Sequence, residues 1–513
     1  MTSGPDRAQT VESAVGLPRW VTLVDVLTVL LALAALSVDL FGAYRVRGFV
    51  SMPSSVIVWI GASVCLAARH YFVRTRPLPG RVWNVWRVVW QAAPVRIFLL
   101  TRIPPVCVGY LAVLSIGFPS PVPFRMADSA LGNLMVRWDT GWYMGLALEG
   151  YADEPSTGQR NVAFFPAYPF LIRTTTALVL SGRVDGFRSL DSVWGFISDP
   201  AGYPFVEERA RVQRTGLAVG FVLSCVAFIL ALVLLLRLAR DDLPDDAAAG
   251  ALVLLGAYPF AVFYGAIYTE SLYLLATVAT CYCFRHRWFW RAALCGLCVG
   301  LIRPNGFFLT VPLGLAAATA FVPWLGWGRP VFVGDRGAPA GGLGGGVLRY
   351  AAVAVALTPL LGMLSHSAFL FTLTRQPFAW FDAQAAWGRD ATGFASIVTE
   401  HWSYLLEHGP TGYIVGRPYD VLNLLPTLLA GVLIWPVTRR FGIFYGSFLV
   451  VNLLPPLLSG GLESMGRYTS VLFPLFLYLA AVSTSTHRAA IAGGFGALQG
   501  LVAALFFTWR DIF

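Results

Sequence analysis

The 513-residue chain contains no lysine; all 37 of its basic residues are arginine. Charge of either sign is scarce, 12% of the chain against roughly 25% in average soluble domains. A soluble protein so poor in charge could not cover its surface, so a water-soluble globule is excluded. A hydrophobic share of 57% and a mean hydropathy of +0.66 point to an all-α polytopic membrane protein. The net charge of +10 does not imply nucleic acid, because no soluble basic domain exists to carry such binding. Many arginines sit instead at the ends of apolar runs, as positive-inside topology requires. The expected partners therefore include membrane lipids and no nucleic acid. Arginine without lysine, with abundant Ala, Gly and Val, suggests a high-GC bacterial genome. Cysteine is also sparse: seven residues, all inside apolar runs. Cys295 and Cys298 form a CxxC with no second pair or His cluster after it, and read as small hydrophobes.

Apolar runs able to cross about 30 Å of hydrocarbon fall near 21–43, 52–69, 97–117, 212–237, 248–267, 270–285, 290–304, 306–325, 350–372, 421–438, 442–459, 467–484 and 489–508. These predict about 13 transmembrane helices. The loop 69–96 holds Arg69, Arg74, Arg76, Arg81, Arg87 and Arg96 and no acid, a cytoplasmic signal that also places the N-terminus in the cytoplasm. Residues 118–163 hold three arginines against five acids and read as outside. Parity then forbids a crossing at 164–181, which contains Pro166, Pro169 and Arg173 and is expected to lie in the interface. The expected organisation has three parts: 1–95, a tail, a two-helix hairpin and the basic loop; 96–325, a catalytic transmembrane module with the outer loop 118–211; and 326–513, a second module with the outer loop 373–420. The Gly-rich stretch Gly341–Gly346 reads as a cytoplasmic linker, since no Lys-Ser/Thr follows it.

In a chain that avoids charge, polar residues at membrane level mark function. Five groups fall on the outer side. Arg137-Trp138-Asp139-Thr140-Gly141-Trp142-Tyr143 lies within 128–151, where apolar residues recur at helical spacing and predict an interfacial helix. Asp139 sits beside that stripe, as a reactive acid, a solvated acid or a helix cap. Phe164-Phe165-Pro166-Ala167-Tyr168-Pro169 follows, which a rigid turn alone would explain. Tyr268-Thr269-Glu270-Ser271 places Glu270 at a span boundary, where the helix dipole would favour it in any case. Arg303-Pro304-Asn305-Gly306 interrupts an apolar stretch, so Arg303 meets an anion there or snorkels to the interface. Glu463-Ser464-Met465-Gly466-Arg467-Tyr468 offers a second boundary arginine, with a local Glu463–Arg467 pair as the alternative. The outer loop adds Gln384, Trp387, Arg389, His401 and His408, whose spacing fits no metal motif. Acids and arginines gathered at one membrane face suit a lipid-borne anion: arginines hold a phosphate and an aspartate takes a proton from an attacking hydroxyl.

These motifs, with Gly150-Tyr151 after the first and in this order, resemble the PIG-V family of the glycosyltransferase C superfamily, the GPI mannosyltransferase 2 type, and particularly its bacterial members. The resemblance covers about 137–470. It implies a glycosyltransferase C-type membrane protein with interfacial helices in the first large outer loop. It implies transfer of a sugar, mannose foremost, from a polyprenyl-phosphate donor on the extracytoplasmic face of the plasma membrane, with inversion. It implies Asp139 as general base or metal ligand, and Arg303 and Arg467 on the donor phosphate. Arg137, Trp138, Tyr143, Tyr168, Glu270, Asn305 and Glu463 are then supporting or acceptor-binding. A bacterial chain has no GPI anchor to build, so the acceptor stays open among glycolipid, glycan and protein. No cofactor is certain; an anion-plus-acid site would accept a divalent cation, Mg or Mn, though no oxygen-rich ligand cluster is readable. Rival readings are a transporter or flippase of lipid-linked sugar, a non-catalytic scaffold of the same fold, and a protein O-mannosyltransferase. The first would need polar residues at mid-membrane depth.

Overall fold

The computed structural model describes residues 18–41, 55–73, 78, 90–119, 124–127, 129–151, 159–181, 187, 189–200, 208–326, 331–333, 346–387 and 394–512. Most of the basic loop 69–96, Asp128, Gly341–Gly345 and Arg389 lie outside them. Among the described residues every regular element is helical, as the composition requires. The chain divides into two units, Met1–Ala92 and Ala93–Phe513.

In the first unit α1 (Arg19–Phe41) packs against α2 (Ser55–Phe72). Arg69 and Asp25 are both buried between these apolar helices, with Nε donating to Oδ1 at 3.0 Å. A charge inside an apolar helix pair persists only with such a partner.

The second unit begins with α3 (Ala93–Ser115), followed by the short helices α4 (Thr140–Leu148), α5 (Ala167–Leu180) and α6 (Leu190–Ser198). The 14-residue α5 is, at about 1.5 Å per residue, shorter than the roughly 17 residues that a straight crossing needs. The helix expected over 128–151 is confined to Thr140–Leu148. Its first half is broken for a physical reason. The buried Arg137 guanidinium takes the carbonyls of Asn133 and Val136 that a helix would need, each at 2.6 Å. Trp138 then adopts φ +45°, which no helix interior tolerates.

The core draws on α7 (Arg209–Arg240), α8 (Asp245–Ala257), α9 (Glu270–Arg285), α10 (Phe289–Ile302), α11 (Thr310–Ala318) and α12 (Gly346–Thr374), and equally on helices before and after them. After them come α13 (Phe394–Gly416), α14 (Pro418–Phe441), α15 (Ile443–Gly460), α16 (Met465–Ser470), α17 (Phe473–Val482) and α18 (Ser485–Phe507). The described residues of the loop 373–420 are thus largely helical, the long helix α13 being bent at Gly409, where φ is +70°.

The thirteen apolar runs are not thirteen uniform helices. Five described helices, α3, α7, α12, α14 and α18, are long and apolar enough to cross a membrane. A sixth span arises if α8 and the 3-10 turn Pro259–Gly265, bent by 82°, are taken together. Shorter apolar helices, among them α10, α15 and α17, account for other runs. Proline sets the breaks. Pro259 and Pro304 each open a 3-10 turn, which strands the carbonyls before it. At the first break Arg102 donates to Gly256 O at 2.7 Å and also to Ala261 O, while Gln499 donates to Gly256 O and Tyr258 O, each at 3.0 Å. The bend thereby keeps its backbone satisfied inside an apolar core, and it delivers Phe263, Tyr268 and Glu270 to the same place.

Candidate active site

Four charged side chains from four distant parts of the chain meet in the second unit. Asp139 stands at the N-cap of α4, yet its carboxylate makes no cap hydrogen bond. It accepts instead from Arg467 Nη1 at 2.6 Å. Arg467 Nε donates to Glu270 Oε1, and Arg303 Nη1 donates to the same oxygen at 3.1 Å. Glu270 is fully buried, whereas the Asp139 side chain keeps 22% of its exposure. Two guanidiniums and two carboxylates therefore form one neutral chain, buried at Glu270 and open at Asp139. A carboxylate this deep is tolerated because two cations share it.

Aromatic rings fix the cations. The Arg467 guanidinium lies 4.7 Å from the Tyr268 ring and 5.3 Å from Phe263; that of Arg303 lies 5.3 Å from Tyr468 and 5.6 Å from Tyr273. Tyr268 also holds the Asp139 backbone. Its hydroxyl accepts from Asp139 N at 3.1 Å and donates to Arg137 O at 3.2 Å. The Tyr143 hydroxyl meets Thr269 Oγ1 at 3.3 Å, and burial pushes its phenol up to about 12. Asn305 donates to Asn452 Oδ1 at 3.0 Å, an oxygen that also accepts from Tyr273. Gly466 is required beside Arg467, since a Cβ there would stand 2.1 Å from the Phe260 ring.

The open end of this chain forms the floor of a cavity of about 1280 Å³. Asp139, Arg303, Asn305 and Arg467 line it below. Its wall is aromatic: Trp142 stacks on Phe164 at 5.7 Å, and Trp387 stands edge-on to both. Pockets for single drug-sized ligands span roughly 300–1,000 Å³, so there is room for two reactants. Polar groups at the rim include Gln384, Arg417, Asp420 and Glu463.

The predicted residues thus separate. Asp139, Trp138, Tyr143, Arg303, Asn305, Glu463 and Arg467 line the cavity. Glu270 does not, and reaches it only through the two arginines. Arg137 and Tyr168 are fully buried away from it and cannot touch an acceptor. Burial lowers the Arg137 pKa to about 10, and its Nε holds Phe507 O at 2.7 Å. Tyr168 donates to Gly220 O at 2.9 Å. Both are framework residues, which leaves them the supporting part of the expected role. Sequence reasoning missed Arg417, Tyr419, Asp420, Trp509 and Asp511, all on the cavity wall. No local pattern marks any of them.

A divalent cation finds little here. Among the described residues no group of three or more His, Cys, Asp or Glu side chains comes together. The immediate partner of Asp139 is a guanidinium, which repels a cation.

Residues 206–308 match the family model Mannosyltransferase (PIG-V). The resemblance read from the motifs is shown over that segment, which carries Glu270, Arg303 and Asn305 but neither Asp139 nor Arg467. The apolar helices fit a multi-pass membrane protein. Two crystal structures of the Archaeoglobus fulgidus oligosaccharyltransferase, one with Zn and sulfate and one tethered to an acceptor peptide containing an NVT sequon, are similar at 11% and 10% identity. Each has a TM-score of 0.37 and covers 81% of this chain. The chain spans about half of theirs, 53% and 55%. No curated protein matches the chain.

Proposed function

We propose that this protein transfers a hexose, mannose foremost, from a polyprenyl-phosphate donor to a hydroxyl of a second substrate at the extracytoplasmic face of the membrane. The observation that carries the reading is the Asp139–Arg467–Glu270–Arg303 chain, exposed at one end on the floor of a large aromatic-walled cavity.

The chemistry follows from which atoms remain available. Arg467 occupies Asp139 Oδ2, and Oδ1 takes no hydrogen bond from the described residues. Oδ1 accepts the proton of the acceptor hydroxyl as its oxygen forms a bond to the sugar C1. The bond from C1 to the phosphate oxygen breaks on the opposite face, and its electron pair leaves with the polyprenyl phosphate. Direct displacement inverts the anomeric centre. The Arg303 and Arg467 N–H groups not spent on Glu270 and Asp139 meet the developing phosphate charge, in a site that Glu270 keeps in fixed geometry. Because the donor set does not suit a metal ion, no step is routed through one. The aromatic wall offers flat apolar faces to the C–H faces of sugar rings, in keeping with a glycosylated reactant.

The test is incubation of purified protein with radiolabelled polyprenyl-phosphate mannose and a membrane lipid extract. Wild type transfers label, and Asp139→Asn loses about 10²–10⁴-fold, the share that a positioned base supplies. Transfer at the wild-type rate by Asp139→Asn would overturn the base role. Donor binding without transfer to any fraction of the extract would favour a transporter of lipid-linked sugar.

A further inference from the structure

Asp139 and Arg467 are 328 residues apart in the chain, and their 2.6 Å contact requires two separate segments to be held in register. The segment after α18, residues 508–512, is joined to both, directly on one side and through Asn423 on the other. On the Asp139 side, the Trp509 ring packs on the Trp138 ring at 5.0 Å between centroids, and the Arg137 guanidinium lies 5.9 Å from the Trp509 ring. Trp138 and Trp509 both adopt the left-handed backbone, φ +45° and +57°. Bulky residues adopt that conformation only where their surroundings impose it, and such strain gathers at functional sites. On the Arg467 side, the link is Asn423, which is 1% exposed. Its Nδ2 donates to Ile512 O at 3.1 Å, and its Oδ1 accepts from Gly466 N at 2.8 Å, one residue before Arg467. Arg510 adds an anchor to Gly117 O at 3.3 Å.

We propose that residues 508–512 form a strap that sets the distance between Asp139 and Arg467, with Trp509 as its positioning residue and Asn423 as its buckle. The catalytic consequence rests on the glycosyl-transfer reading; the structural one does not. Trp509 holds Trp138, and with it the backbone that aims the Asp139 carboxylate. Asn423 holds the start of α16, and with it Arg467. The strap also brings Asp511 to the cavity wall.

The experiment uses full-length protein in detergent and three variants: Trp509→Ala, Trp509→Phe and Asn423→Ala. Amide hydrogen exchange is followed over 137–143 and 464–470, with donor kinetics alongside. Trp509→Ala should speed exchange over 137–143, and Asn423→Ala over 464–470. Each should lower kcat by about 100-fold, the scale of a 1 Å misplacement, with the donor KM unchanged. Trp509→Phe, which keeps a ring on Trp138, should restore most of the rate. Unchanged exchange in both segments overturns the proposal, as does a raised KM with an unchanged kcat, which would make Trp509 a substrate contact. If Trp509→Ala fails to fold, Trp509→Phe and Asn423→Ala still decide the matter. If wild type transfers no sugar, the glycosyl-transfer reading fails while the exchange data still judge the strap.

Discussion

Replacing Glu270 by glutamine tests the electrostatic logic of the site most directly. The shape is kept, but the negative charge shared by Arg303 and Arg467 is removed. Glu270 is fully buried and its Oε1 serves both guanidiniums, so water cannot replace what is lost. Removing one partner from a buried ion pair costs about 3–5 kcal/mol. Arg467 retains Asp139, and both guanidiniums lie over aromatic rings, so the low end, about 3 kcal/mol, is expected here. The charge argument makes a sharper claim about a pair of changes. Arg303→Gln alone should also destabilise, but with Glu270→Gln it restores neutrality. The double variant should then be more stable than the sum of the single losses by at least about 1 kcal/mol, within the range of coupling between contacting residues. The assay is unfolding by SDS titration in mixed micelles, followed by tryptophan fluorescence, for wild type and the three variants. A Glu270→Gln protein as stable as wild type, or strictly additive losses, would refute the view that Glu270 exists to balance the two arginines.

Other expectations concern single features. Gly466→Ala should cut transfer by about 100-fold, because the new methyl must push the Phe260 ring or the start of α16 and so displace Arg467; full activity would show that α16 has slack. Transfer should persist in EDTA, since Asp139 is paired with a guanidinium rather than with other acids; loss on chelation, restored by Mg or Mn, would reverse this. Tyr143 is buried with its pKa raised to about 12, against about 10 in an unfolded chain. The folded state thus resists losing that proton, and its stability should fall as pH rises from about 10 towards about 12. Tyr143→Phe should make that alkaline slope shallower by one proton's share, because other tyrosines raised by burial, Tyr151 and Tyr168 among them, keep theirs; an unchanged slope would show that Tyr143 does not contribute.

The class of fold was legible because it depends on composition. A chain with so little charge and so many apolar runs has few solutions besides a helical bundle in lipid. The interruptions were legible only where proline announced them, at Pro304 and before α5. The break at 129–139 was not, because it depends on Arg137 reaching across to Phe507, 370 residues away, while taking the carbonyls of its own segment. Helical spacing of Leu131, Leu134 and Trp138 is a local signal, and a buried guanidinium that needs acceptors outweighs it. The helix within the loop 373–420 was not legible for a related reason. Its helix α13 carries exposed apolar residues such as Trp402 and Leu406 among charged ones, and no continuous run reveals it.

The site itself shows where a sequence stops being informative. Each acid and arginine of the cluster was identifiable, because charge is costly in such a chain and must be kept for a reason. Their pairing was not, and pairing decides function here. Within one segment, Arg467 had Glu463 four residues before it as the economical partner; in the folded chain it turns to Asp139 and Glu270. Nor did the sequence show that the side chains of Arg137 and Asp139, two residues apart, go to different places. Trp138 lies between them with its backbone inverted, so one side chain goes to the framework and the other to the cavity. What aims Asp139 is therefore a residue pair, Trp138 and Trp509, whose members belong to different ends of the second unit. A functional acid can be found from its own neighbourhood in the sequence, but the direction in which it points is set by whichever distant segment packs against it.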